Sequence, residues 1–223
     1  MYILQCHSLN KIFKQGDDSI YAVKDCNLKV REGSFSIITG ASGSGKTTLL
    51  HLLAAFDHPT SGTVTVEGKN IYEMNEDELS QFRNSKIGFV FQSFHLLPIL
   101  TAEENILLPT LIKKQPVSNA YMSELCDCLE ISNRLKHFPS ELSGGQQQRV
   151  AIARAMINCP KILLADEPSG NLDKRSAKEL MNMLFLSNKK FGQTILMVTH
   201  DQGALEYADN VFNIDDGVLK QIK

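Results

Sequence analysis

Residues 35–54 read FSIITGASGSGKTTLLHLLA, and this stretch decides the fold. Phe35 to Thr39 is a short apolar, β-branched run that reads as a buried strand, and Thr48 to Ala55 reads as a helix. Between them Gly40-Ala41-Ser42-Gly43-Ser44-Gly45-Lys46-Thr47 fits the pattern G-x-x-x-x-G-K-[ST] in its proper strand–loop–helix setting. Glycines let successive backbone N–H groups turn inward around a phosphate, and the helix that follows adds its positive end at the same point. Lys46 is placed to reach β- and γ-phosphates, and the Thr47 hydroxyl to ligate Mg²⁺.

Working outward, strand-like runs appear at Val23 to Val30, Ser34 to Thr39, Gly62 to Val66 and Ile87 to Phe91, separated by turns such as Glu67-Gly68. Asn75 with Glu78 three residues on predicts a capping box and a short helix through Phe82. From Ser93 to Pro160 the character changes: Met122, Leu125 and Leu129 stand at helical spacing, with punctuation at Pro98, Pro109, Pro116 and Pro139. After this helical insertion come a strand at Ile162 to Ala165, a helix from about Lys174 to Lys190 and a strand at Thr194 to Val198. Alternating strands and helices predict an α/β fold with a parallel sheet.

The apolar strand Ile162 to Ala165 ends at Asp166, where a carboxylate on a neighbouring strand would meet the phosphate-bound Mg²⁺. Glu167, one residue on, is placed to orient or deprotonate an attacking water. Further candidates are Leu142-Ser143-Gly144-Gly145-Gln146-Gln147-Gln148-Arg149, a capped helix start running from about Gln146 to Met156, and two isolated residues. Taken alone, Gln92 reads as an exposed strand end and His200 as a helix cap. Gln146 to Gln148 read as the polar face of their helix, and Arg175 to Lys178 as a solvated helix face.

Composition bounds the rest. The 223 residues are 43% hydrophobic and 22% charged, with net charge −2, which is ordinary for a globular chain and offers no broad basic face for nucleic acid. No run approaches the ~20 apolar residues that span a bilayer. The first residues lack signal-peptide features, so a cytoplasmic location is the expectation. Five scattered cysteines, with Cys126 and Cys128 on different helix faces, read as reduced thiols without a metal role.

The segment LSGGQQQR, upstream of Asp166, resembles the signature motif of ATP-binding cassette (ABC) transporter ATPases, and the whole chain is similar to that family in motif order. The resemblance implies a P-loop NTPase with a RecA-like core, an N-terminal antiparallel β subdomain and an inserted α-helical subdomain. It places the core at 1–92 and 160–223 and the helical part at 93–159 of one domain. It implies that Phe13 stacks on adenine, in place of the usual tyrosine and with Tyr21 as a weaker substitute. It implies that Gly40, Ala41, Ser42, Gly43, Ser44, Gly45, Lys46, Thr47 and Thr48 hold the phosphates of ATP, and that Thr47, Gln92 and Asp166 hold Mg²⁺. Glu167, His200, Lys46 and Gln92 become the catalytic set. Ser143, Gly144 and Gly145 close on ATP bound to a second subunit, and Ser169 to Asp173 form a loop crossing that interface.

Phe91 to Pro98, Leu100 to Ile106 and Glu167 to Asp173 are similar to the macrolide-exporter and lipoprotein-release branch. That branch implies a homodimer driving a separate membrane permease, docked near Gln92 to Leu97, and so a peripheral location on the cytoplasmic face of the membrane. An alternative is a soluble ABC-type ATPase acting on DNA or ribosomes, or a cell-division-type cassette; this chain has neither tandem cassettes nor a coiled-coil insertion.

Overall fold

The computed structural model of the chain describes residues 1–16, 18–113 and 116–223. In chain order the elements are β1 (Tyr2–Gln15), β2 (Asp18–Arg31), β3 (Phe35–Thr39), α1 (Lys46–Leu53), β4 (Ser61–Val66), β5 (Lys69–Asn70), α2 (Glu76–Lys86) and β6 (Ile87–Val90). There follow α3 (Ala102–Lys113), α4 (Asn119–Cys128), α5 (Gly144–Met156), β7 (Ile162–Asp166), α6 (Lys174–Phe191), β8 (Thr194–Val198), β9 (Asn210–Asp215) and β10 (Val218–Gln221). They form a six-stranded sheet in the order β10-β9-β3-β8-β7-β6 and a four-stranded sheet in the order β2-β1-β4-β5. The first is parallel except for its β9–β10 edge, and the second is antiparallel throughout.

The central strands are apolar along their whole length because both faces are covered. Phe35, Ile37, Leu163, Ala165, Ile195 and Met197 point to one face, where α3, α4, α5 and α6 pack. Ile38, Ile162, Leu164, Leu196 and Val198 point to the other, against α1 and the antiparallel sheet. Each fully buried side chain of this kind contributes ~1.5–3 kcal/mol, so the central strands form the rigid base from which the site loops project.

Several expectations change in detail. The helix after Asn75 has its capping box but runs to Lys86 rather than Phe82. Pro109 does not end a helix; it lies inside α3, and its carbonyl accepts bonds from Asn84 and Asn158. β2 begins before Val23, and β1 had no clear alternation because its ladder is bulged, with Ser8 in the left-handed region. Those bulges bury Ile3, Leu4, Cys6 and Leu9, a spacing that matches no period of two. Gln148 is not on a polar face: it is fully buried, because α5 turns it toward the end of β6. Cys6 and Cys26 come together with sulfurs 3.9 Å apart in the interior, both free, and the neighbouring thiol and burial push the Cys26 thiol far up. Among the described residues no helix is long and apolar enough to cross a membrane.

Candidate nucleotide site

Three adjacent parallel strands deliver the chemistry to one edge. In register, Ile38 of β3 lies level with Val198 of β8, and Val198 with Asp166 of β7. The loop from Gly40, the pair Asp166-Glu167 and the pair Thr199-His200 therefore leave the sheet side by side, at the carboxyl ends where open α/β sheets bind ligands.

The loop 40–45 is shaped by glycines that nothing else can replace. A Cβ on Gly40 would sit 2.3 Å from the Ile214 carbonyl, and one on Gly45 (φ 104°) 2.0 Å from the Ala22 carbonyl. Gly45 caps α1 without any side-chain acceptor, so the first amides of that helix point out unpartnered by a cap. The Ser44 hydroxyl is buried, with no hydrogen-bond partner among the described residues. Lys46 is 6% exposed and donates to the carbonyls of Gly40 (3.0 Å) and Ala41 (2.8 Å), its ammonium folded across the loop. A cradle of donors around a buried cation is what a polyphosphate requires.

A cavity of about 480 Å³ opens over this loop. It is lined by Ser42, Gly43, Ser44, Gly45, Lys46, Thr47 and Thr48, by Gln92 and Glu167, by Ile20, Tyr21 and Ala22 of β2, and by Asp216 and Gly217 of the β9–β10 turn. That turn was missed in the sequence because it lies far along the chain; in space Gly217 donates its N–H to the Ser44 carbonyl and Asp216 pairs with Lys24 at 2.7 Å.

At the inner end of the cavity the Thr47 hydroxyl donates to Asp166 Oδ1 at 3.2 Å. Burial pushes the Asp166 carboxyl above its ordinary value, and the Thr47 hydroxyl and His51 only partly offset this. Paired hard oxygen donors of this kind fit Mg²⁺, which takes one or two carboxylates and completes its shell with phosphate and water. Among the described residues no group of three or more His, Cys, Asp or Glu is disposed to hold a metal ion.

Glu167 carries φ 43°, a left-handed conformation for a residue with a side chain, held by its N–H to the Val198 carbonyl. Strain of this order, ~1–3 kcal/mol, persists where surrounding structure fixes it and gathers at functional sites. Its Oε2 meets His200 Nδ1 at 3.0 Å, joining two candidates thirty-three residues apart. Gln92 hangs over the same space; the Asn171 amide donates to its carbonyl at 3.0 Å, and Gly170 packs beneath its side chain.

Gly40, Ala41, Asp166 and His200 do not line this cavity themselves but are each hydrogen-bonded to a residue that does, whereas three further sets of candidates lie away from it. Phe13 sits at the β1–β2 hairpin, 43% exposed with the Lys11 ammonium over its ring, while its cross-strand neighbour Ile20 and Tyr21 reach the cavity wall. Ser143 caps α5 in a reciprocal box with Gln146, and Gly144 and Gly145 pack near Phe94, Leu172 and Ser176. Asp173 caps α6, accepting from the Arg175 and Ser176 amides and the Ser176 hydroxyl.

Fold and site together define a P-loop nucleoside triphosphatase. Residues 23–170 match the ABC transporter family. The chain is 44% identical over 222 residues to an uncharacterised ABC transporter ATP-binding protein of Methanocaldococcus jannaschii, covering 99% of both. It is 44% identical over 201 residues to the lipoprotein-releasing system ATP-binding protein LolD of Bacteroides fragilis, covering 89% of this chain and 93% of that one. Its backbone is similar to the ATP-binding cassette MJ0796, solved as a dimer in a post-hydrolysis state with ADP and Pi, at TM-score 0.88 and 38% identity, over 99% of this chain and 98% of that one. The chain belongs to the ABC transporter ATP-binding proteins and is an ATPase of that family.

Proposed function

We propose that two copies of this chain close around two ATP–Mg²⁺ and drive a separate membrane permease. One observation carries the dimer: Ser143, Gly144 and Gly145 do not line the cavity of their own P-loop. A phosphate-ready helix start that cannot serve its own site serves a second copy, and each closed pair then holds two composite sites. The dimeric MJ0796 cassette, similar over 99% of this chain, supports the same arrangement.

Within each site the residues divide the work. The amides of 42–48 and Lys46 hold the β- and γ-phosphates, the ammonium exchanging its carbonyl partners for phosphate oxygens. Thr47, Asp166 and Gln92 would hold a Mg²⁺, which would supply positive charge to offset that of the phosphates. Glu167 orients the attacking water, and His200, anchored to it through Nδ1, steadies the γ-phosphate. Phe13 or Tyr21 supplies an aromatic face to adenine.

The permease docks against residues 92–97. Phe94 and Leu96 are half-buried, Leu97 is exposed, and a cluster of Phe56, Phe89, Phe91 and His95 rings continues this surface. An apolar strip of this form suits the face of an amphipathic helix. Docking would hold the chain on the cytoplasmic face of the membrane. Similarity to LolD and to a syringafactin export protein favours extraction or export of a lipoprotein, peptide or antibiotic.

The test is size-exclusion chromatography of Glu167→Gln with ATP and Mg²⁺. The variant should run as a dimer with ATP and as a monomer with ADP, while wild type turns ATP over. A monomer under all conditions, alongside active wild type, would remove the composite-site reading.

A further inference from the structure

From the end of β6 to Leu97 the chain forms neither helix nor strand, yet side chains from elsewhere hold five of its seven carbonyls. Gln148 Nε2 donates to the Phe91 carbonyl at 3.1 Å, and Asn171 Nδ2 to that of Gln92 at 3.0 Å. The two terminal nitrogens of Arg154 donate to successive carbonyls, Phe94 at 3.0 Å and His95 at 2.6 Å. Asn105, fully buried, accepts the Leu97 N–H at 2.8 Å and donates to its carbonyl at 3.1 Å. Gln148 and Arg154 both stand on α5, the helix whose first turn carries Ser143, Gly144 and Gly145.

Arg154 is unusual in how it uses its charge. It has no carboxylate partner among the described residues, and burial works against its ionised form. A contact that served packing alone would need no charge, since burying an ion carries a desolvation cost that an apolar side chain of similar size avoids. A guanidinium is instead a rigid fork of donors, and two bonds to adjacent carbonyls fix direction as well as distance. The loop it grips carries Gln92 at one end and the docking strip at the other.

We propose that Arg154, backed by Gln148, is a positioning residue that joins the loop 92–97 and α5 into one lever. It rests on the composite-site reading above. Displacing the loop, whether by nucleotide at Gln92 or by a helix docked at 94–97, turns α5 and so moves its Ser143 end, ~16 Å away along the axis. One chain's own site thereby sets the posture of the group it offers to the other.

Amide hydrogen exchange of the isolated chain tests this, at a concentration where light scattering finds only monomer. In wild type, ATP–Mg²⁺ should slow exchange at residues 91–97 and at 143–147 together. In Arg154→Met the slowing at 91–97 and the affinity for ATP should stay, while that at 143–147 falls by about fivefold or more. Arg154→Lys, which keeps the charge but loses the fork, should fall between them. Equal slowing at both segments in Arg154→Met overturns the proposal. So does loss of ATP binding or of a cooperative melt in both variants, which would assign Arg154 to the fold. Wild-type slowing at 91–97 without any at 143–147 overturns the lever alone, whereas an ATP-bound Glu167→Gln chain that never dimerises overturns the composite site alone.

Discussion

Phe13 and Tyr21 are two aromatic candidates on the facing strands of one hairpin. The family resemblance points to Phe13 for adenine stacking, whereas the cavity wall is made by Ile20 and Tyr21 on the facing strand. Both rings are nearly half exposed, and each has a lysine above it: Lys11 for Phe13 and Lys24 for Tyr21. A purine stacked on either ring gains ~1–3 kcal/mol, by analogy with bases on aromatic side chains. With adenine on Phe13, as the resemblance implies and as its cross-strand neighbour Ile20 in the cavity wall allows, Phe13→Ala should raise the Kd for ATP about tenfold or more, with Tyr21→Ala changing it less than threefold. Fluorescence titration with a labelled nucleotide reads both, and the reverse ranking would transfer the adenine contact to Tyr21.

At the scale of elements, α5 matters most because its start serves two ends. Ser143 caps the helix through Gln146, and in the composite-site proposal it also belongs to the group offered to a second nucleotide. The roles separate by substitution. Ser143→Ala loses the cap and should cost ~1 kcal/mol of stability. Ser143→Asp keeps a capping oxygen and should melt within ~0.5 kcal/mol of wild type, yet fail to associate with ATP, because a carboxylate would face the γ-phosphate. Calorimetry and light scattering on the two variants check this; an Asp variant that associates normally would place Ser143 in the cap alone. The same helix marks the limit of what its sequence disclosed. The strand before the P-loop, the cap at Asn75 and the strand ending at Asp166 were legible, since each depends on neighbours a few residues apart. Gln148, Arg154, Asn105 and the β9–β10 turn were not, because their meaning lies in carbonyls and loops distant in the chain. Bulged β1 was hidden for a local reason, as its buried residues follow no fixed period.

For the molecule as a whole, the central sheet separates two packed layers. One holds α1 and the P-loop, and the other holds α5 with the signature turn. On the composite-site proposal, a monomer built this way carries both halves of a site without bringing them together. That division predicts complementation between two inactive chains. Lys46→Ala has a disabled P-loop and an intact signature, and Ser143→Asp the converse, so neither can form a complete site with itself. Mixed pairs form one complete site, from the P-loop of the Ser143→Asp chain and the signature of the Lys46→Ala chain. Because neither chain completes a site with itself and Ser143→Asp does not self-associate, mixed pairs are the ones that form, and equal amounts should restore at most about half of wild-type hydrolysis, one of two sites in each pair. Phosphate release measured on each chain and on the mixture decides it. Recovery on mixing would locate each half-site on a different subunit, whereas a mixture as inactive as its components would show that a single composite site cannot turn over ATP alone.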